Sequence, residues 1–156
     1  MTVPLQKPGR SRQDYETPPE FIKAVERDFR ADFVFDLAAS PDNTKAPRWL
    51  DEEHNALAQD WKNIDGDCWL NPPFAKLEPW VKKCAESSPA RIYVLLPAAV
   101  GSNWFRDWVV PYASIYFLNP RLTFVGEASS YPKDLMMATY RVTPSNNSFN
   151  VWRWRR

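Results

Sequence analysis

The sequence predicts an α/β fold: a mostly parallel sheet with antiparallel strands added toward the carboxyl terminus, all in a single domain. Three observations carry that expectation. Through the first two-thirds of the chain, short apolar runs alternate with segments whose apolar residues recur at helical spacing. The last third switches to four short strand-like runs separated by Asn, Pro, Gly and Ser. The length, 156 residues, supports one substantial core rather than two.

Residues Met1 to Gln13 are rich in Pro, Gly, Lys and Arg and read as a flexible lead-in, so the compact domain is expected over residues 14–156. Thr17-Pro18-Pro19-Glu20 then opens a helix, with Thr17 as N-cap, Pro18 at the first position and Glu20 completing a capping box. Phe21, Ile22, Val25 and Phe29 follow on one face. Phe33 to Leu37 reads as a buried strand, and Ser40 to Asp60 as loop with room for a short helix. Cys68 to Leu70 is the second core strand, followed by a helix with Trp80, Val81, Cys84 and Ala85 on its apolar face. Arg91 to Leu96 is the third strand. Ser102 is placed to cap a further helix carrying Trp104, Phe105, Trp108 and Val109. Strands are expected at Ser114 to Leu118, Arg121 to Val125, Leu135 to Val142 and Phe149 to Trp154.

Composition narrows the function. Hydrophobic content of 44% with a mean hydropathy of −0.52 fits a soluble globular protein. No signal-peptide pattern opens the chain, and the longest apolar run, around Ile92 to Gly101, is too short to span a bilayer. A cytoplasmic protein is expected. A net charge of +1 creates no global field toward nucleic acid, so any such contact must come from local patches. Cys68 and Cys84 match neither a zinc spacing nor a disulfide framework. His54 is the sole histidine and lies in a polar stretch, which argues against His-dependent metal sites and triads. No metal is expected.

Asn71-Pro72-Pro73-Phe74 is the segment richest in chemistry, because it follows an apolar strand and precedes a helix. Ligands of open α/β sheets bind at the rim beyond the strands' carboxyl ends. The Asn71 side-chain oxygen and the Pro72 carbonyl are acceptors suited to the exocyclic amino group of a planar base. Such an amino nitrogen is a poor nucleophile while its lone pair is delocalised into the ring. Two acceptors on its hydrogens favour tetrahedral geometry and aim the lone pair at an electrophile, so positioning and fixed dipoles supply the catalysis. Prolines stiffen the turn and bring no competing N–H. Phe74 can stack on the base, worth about 1–3 kcal/mol. The structural alternative is a plain Asn-Pro turn with Phe74 in the core.

In these residues the chain resembles the Dam-like phage DNA N6-adenine methyltransferases, whose motif is Asn/Asp-Pro-Pro-Tyr/Phe. The resemblance runs from Asp14-Tyr15-Glu16-Thr17-Pro18 to about Phe124. It takes in Phe35-Asp36-Leu37-Ala38-Ala39-Ser40, Asp60-Trp61, Leu95-Leu96-Pro97-Ala98 and Arg121-Leu122-Thr123-Phe124. It implies a Rossmann-like methyltransferase fold and methyl transfer from S-adenosylmethionine to adenine in DNA. It also suggests a phage or prophage origin in a bacterial host, and a place in DNA methylation or restriction-modification. Catalysis would rest on Asn71, Pro72, Pro73 and Phe74.

The implied cofactor site takes in Tyr15, Thr17, Pro18, Asp36, Ala38, Asp60 and Trp61. Asp36, at a strand end, would meet the methionine ammonium or the ribose; its alternative is capping the next turn. Ala38-Ala39-Ser40 stands where the family's glycine-rich form is usual, and small side chains still permit close approach. Thr17-Pro18 would contact the methionine end, where a helix start offers N–H groups to a carboxylate. Asp60 would accept from the cofactor's adenine amino group with Trp61 over the ring; the alternative is a loop Asp beside an anchoring Trp. For the ribose, Asp51, Glu52 and Glu53 are candidates.

Adenine inside a duplex is out of reach, so the base must be flipped or single-stranded. Lys76, Arg121 and Arg153, with the tail Trp152-Arg153-Trp154-Arg155-Arg156, are candidates for phosphate and stacking contacts; each also reads as an ordinary solvated cation. No segment is long enough for a separate target-recognition domain, which suggests short or relaxed specificity. Two other functions stay open: methylation of RNA or of a protein amide, and a catalytically silent, phage-derived DNA-binding or decoy module.

Overall fold

A computed structural model describes residues 15–51, 55–142 and 148–156. The lead-in Met1 to Gln13, Glu52, Glu53 and His54 lie outside the described residues.

Helix α1 spans Pro19–Phe29. It begins one residue later than the capping-box reading, and Thr17 does not cap it. The residue before a proline is pushed out of the α region, so Pro18, with φ −68° and ψ 143°, is extended and Pro19 takes the first helical position. The Pro18 carbonyl accepts from Phe21 N–H at 3.0 Å and Ile22 N–H at 3.4 Å. Glu20 reaches outward to Arg155 at 2.7 Å instead of folding back.

Strand β1 (Phe33–Asp36) is followed by β2 (Arg48–Trp49), a two-residue strand hidden in the weakly patterned stretch. A single 3₁₀ turn, Ala56–Ala58, follows. Strand β3 (Asp67–Leu70) is entered through Gly66 at φ +117°, where a Cβ would meet Val34 Cγ2 at 2.6 Å. Helix α2 (Glu78–Glu86) and strand β4 (Arg91–Pro97) match their patterns closely. Phe105–Val109 is a short wide turn closed by Val110 N–H on the Phe105 carbonyl at 3.0 Å. Strands β5 (Ala113–Asn119), β6 (Leu135–Tyr140) and β7 (Phe149–Arg153) complete the order.

One sheet of seven strands results, ordered β2-β1-β3-β4-β6-β5-β7. Strands β2, β1, β3 and β4 run parallel, and β6 is antiparallel to both β4 and β5. Strand β7 pairs parallel to β5, where an antiparallel strand was expected. Arg121 to Val125 is not a strand. Leu122 and Phe124 are buried, and the segment is held by Val125 N–H on the Glu16 carbonyl and Tyr131 N–H on the Leu122 carbonyl, at 3.0 and 2.7 Å. Loop side chains anchored in the core imitate the apolar pattern of a strand.

Alternation along the strands divides the core into two faces. Cys68, Leu70, Ile92, Val94 and Ala138 pack with Val81 and Cys84 of α2 and with Phe105 and Val109. Trp69, Tyr93, Leu95 and Met137 pack on the other face with Phe21, Ile22 and Val25 of α1. Asp36 is in register with Trp69 and Trp69 with Tyr93, so β1 and β3 end side by side and their following loops share one rim.

Candidate active site

At that rim the segment before α1 crosses the end of β3. Asn71 Nδ2 donates to the Tyr15 carbonyl at 2.8 Å and to Thr17 Oγ1 at 3.1 Å. A carbonyl oxygen can only accept, so this network fixes which end of the amide is nitrogen. Asn71 Oδ1 is left without a hydrogen bond among the described residues. Pro72 is buried, and no protein donor among the described residues bonds its carbonyl. Phe74 is half-buried and meets Tyr131 edge-on at 6.0 Å. Tyr131 in turn packs against Tyr15 and Phe124, which stack at 4.8 Å.

Asp36 ends β1 with its residue only 2% exposed. Its Oδ1 accepts from Ala38 N–H at 3.2 Å and its Oδ2 from Lys45 N–H at 2.9 Å. Each oxygen keeps a second acceptor site. Burial pushes the carboxyl up to about 6, against the pull of those two N–H groups and the Lys45 charge. The loop between β1 and β2 is braced by its own polar groups: Ser40 N–H donates to Asn43 Oδ1 at 2.8 Å, and Thr44 N–H to the Ser40 carbonyl at 3.0 Å. That turn brings Lys45 back to the strand end. Its ammonium donates to Glu16 Oε2 at 3.0 Å.

Tyr15, Glu16, Thr17, Asp36, Ala38, Asn43, Lys45, Trp69 and Asn71 together line a partly open polar pocket with a volume of about 30 Å³. Five residues singled out from sequence therefore meet there: Tyr15, Thr17, Asp36, Ala38 and Asn71. Pro18 adjoins it through the chain. Glu16 and Lys45 were missed, because an isolated Glu and Lys 29 positions apart carry no sequence signal until the loop brings them together.

A family model, "DNA N-6-adenine-methyltransferase (Dam)", matches residues 6–139 of this chain. The chain belongs to that family. A Dam relative, the DNA N-6-adenine-methyltransferase of Escherichia phage T1, is 28% identical over 151 residues, spanning 92% of this chain. The chain covers 63% of that phage protein's length. The mixed sheet with its antiparallel β6 agrees with the methyltransferase fold expected of a Dam-family chain.

Other residues expected to act in a Dam-family site sit elsewhere. Trp61 is fully buried, donates its indole N–H to the Ala56 carbonyl at 3.1 Å and packs on Trp80. It has no open face to lay over an adenine ring, so the reading of an anchoring core Trp is the one the geometry supports. Asp60 accepts from Lys62 N–H at 2.8 Å and Asn63 Nδ2 at 3.1 Å, in a separate shallow hollow with Lys83 and Glu86. Asp60 and Trp61 are thus not brought to Asp36 and Asn71.

The basic tail is also largely committed. Trp154 is buried and donates to the Pro120 carbonyl at 2.7 Å; Trp152 donates to Asp28 Oδ2 at 2.9 Å. Arg155 and Arg156 pair with Glu20 and Asp28 of α1. Trp154 is packed in the core, and Trp152 is half-buried against Phe21 and Phe29. Arg121 is exposed and pairs with Asp134 at 3.1 Å; Lys76 and Arg153 are exposed. Because β3, β5 and β7 run in the same direction, these three cations share the rim that carries Asn71.

Among the described residues, no helix is long and apolar enough to cross a membrane.

Proposed function

We propose that this protein transfers a methyl group from S-adenosylmethionine to the N6 amino group of adenine in DNA, with the base flipped against Asn71-Pro72-Pro73-Phe74. The observation that carries the reading is the orientation of the Asn71 amide. Its nitrogen is engaged by Tyr15 and Thr17, and its oxygen is open to accept. An amide held that way can take a hydrogen from an exocyclic amino group without first rearranging, which is the preorganisation that fixed-dipole catalysis requires. The Pro72 carbonyl supplies the second acceptor, and Phe74, backed by Tyr131, offers a ring to the base.

The pocket residues suit the amino-acid end of S-adenosylmethionine. Asp36 keeps acceptor capacity for an ammonium, and Lys45 provides a cation for a carboxylate. When bound, that donor supplies an electrophilic methyl on a sulfonium. Lys76, Arg121 and Arg153 would meet phosphates. From β3 to β7 is four strand spacings, roughly 19 Å, enough to follow several nucleotides. The family assignment favours DNA over RNA or a protein amide, and the ordered Asn71 amide favours an active enzyme over a silent module.

The test is mass spectrometry of nucleosides from unmethylated DNA incubated with the protein and S-adenosylmethionine, beside Asn71→Ala. N6-methyladenine is expected from the unsubstituted protein, with the variant reduced about 100-fold or more. Absence of the product with intact cofactor binding would redirect the search to RNA and protein substrates.

A further inference from the structure

The pocket presents two carboxylates, Asp36 and Glu16, and one cation, Lys45, the sole cation among its described lining residues. The Lys45 side chain is only 11% exposed, so its ammonium depends on a partner inside the protein. That partner, Glu16, is three times as exposed at 32% and lies where solvent can take it over. The Lys45 backbone N–H is bound to Asp36 Oδ2, so one residue ties the strand-end carboxylate to the ammonium nearby. An opposite-charge pair on adjoining groups mirrors the ammonium and carboxylate on the α-carbon of an amino acid.

The start of α1 offers a carboxylate little. Pro18 and Pro19 have no N–H, and those of Phe21 and Ile22 are spent on the Pro18 carbonyl, leaving Glu20 alone in the first turn. Thr17 Oγ1 is engaged by Asn71. A carboxylate entering this pocket therefore has Lys45 as its charged partner.

We propose that Lys45 holds the α-carboxylate of the methyl donor, exchanging Glu16 for the ligand while Asp36 takes the ligand's ammonium. This rests on the reading that the pocket binds S-adenosylmethionine. Glu16 then acts as a placeholder that keeps Lys45 paired and releases it to the incoming carboxylate. One ion pair replaces another, so the desolvated ammonium is never left alone.

Isothermal titration with S-adenosylhomocysteine and with its decarboxylated analogue, which keeps the ammonium, tests this. Lys45→Met is expected to weaken S-adenosylhomocysteine about tenfold or more, the loss of one charge-assisted hydrogen bond. The same change should leave the analogue's affinity within about twofold. Lys45→Arg should restore most of the loss, and Glu16→Gln should bind at least as tightly as the unsubstituted protein. Equal weakening of both ligands by Lys45→Met, with Lys45→Arg giving no recovery, would assign Lys45 a purely structural role and overturn the proposal. Unchanged binding of both ligands would overturn it as well. If the unsubstituted protein bound neither ligand, the proposed function itself would fall, and this assignment with it.

Discussion

Asp36 and Asn71 do different work with the same resource, a polar side chain held by backbone groups. Asn71 is locked at its nitrogen, so its oxygen is presented in one orientation. Asp36 is bonded at both oxygens yet so buried that its carboxyl is pushed up to about 6. The sign of the consequence follows from linkage. Below about pH 6 the carboxyl in the folded protein holds its proton and offers no charge to an ammonium, whereas above it the carboxylate is formed. Affinity for S-adenosylhomocysteine should therefore fall as pH drops through about 6, approaching tenfold per unit, and level off above it. Titration calorimetry from pH 5 to 8 checks this. In Asp36→Asn binding should be weak and its dependence on pH over that range lost; a slope that survived would place the titrating group elsewhere.

The elements are tied by α1, which joins the site to the opposite end of the chain. Its amino-terminal approach carries Tyr15 and Thr17 to Asn71, and its far end carries Asp28, which gathers Arg27, Trp152 and Arg156. The Arg27 guanidinium, then the Trp152 N–H and the Arg156 charge, hold the Asp28 carboxyl down at about 2 against its partial desolvation. A depressed carboxyl favours the folded state above its ordinary range near 4 and loses that contribution as pH falls toward 2. Urea unfolding should show stability declining across that window, and Asp28→Asn should be less stable at neutral pH and flatter below pH 4. An unaltered acid limb in the variant would show that other carboxylates set it. Trp154, fully packed between α1 and the loop after β5, is the apolar counterpart. Trp154→Ala should cost about 3–5 kcal/mol in the same measurement. A loss under about 1 kcal/mol would mean that the tail docks without contributing.

At the scale of the molecule, one antiparallel strand decides how the rim is populated. Strand β6 runs against its neighbours, so β5 and β7 return to the direction of β3 and place Arg121 and Arg153 on the side of Asn71. Strong periodic segments were legible from the sequence. Helices α1 and α2 and strands β1, β3, β4 and β6 each bury a face whose spacing is written in the residue pattern. Weak or mixed patterns were not. Strand β2 is two residues long with no fully buried position, and Arg121 to Val125 has buried apolar residues without pairing in the sheet. The Asn71-Pro72-Pro73-Phe74 motif and the strand-end Asp36 were visible because a turn after an apolar run is a local property. Asp60-Trp61 reads the same in sequence whether its ring faces a ligand or the core, and here the Trp61 ring is buried.

The sequence by itself determined the fold class and the rim position of Asn71 and Asp36, which follow from local periodicity and short motifs, while the family showed in the resemblance of its motif segments. Only the tertiary structure decided that Thr17 serves Asn71 rather than a helix cap, that the tail's Trp154 is packed in the core, and that Glu16 and Lys45 share the pocket with Asp36. Each depends on contacts between residues distant in the chain. Side-chain hydrogen bonding and burial are set by what the folded chain brings alongside, which no local pattern encodes.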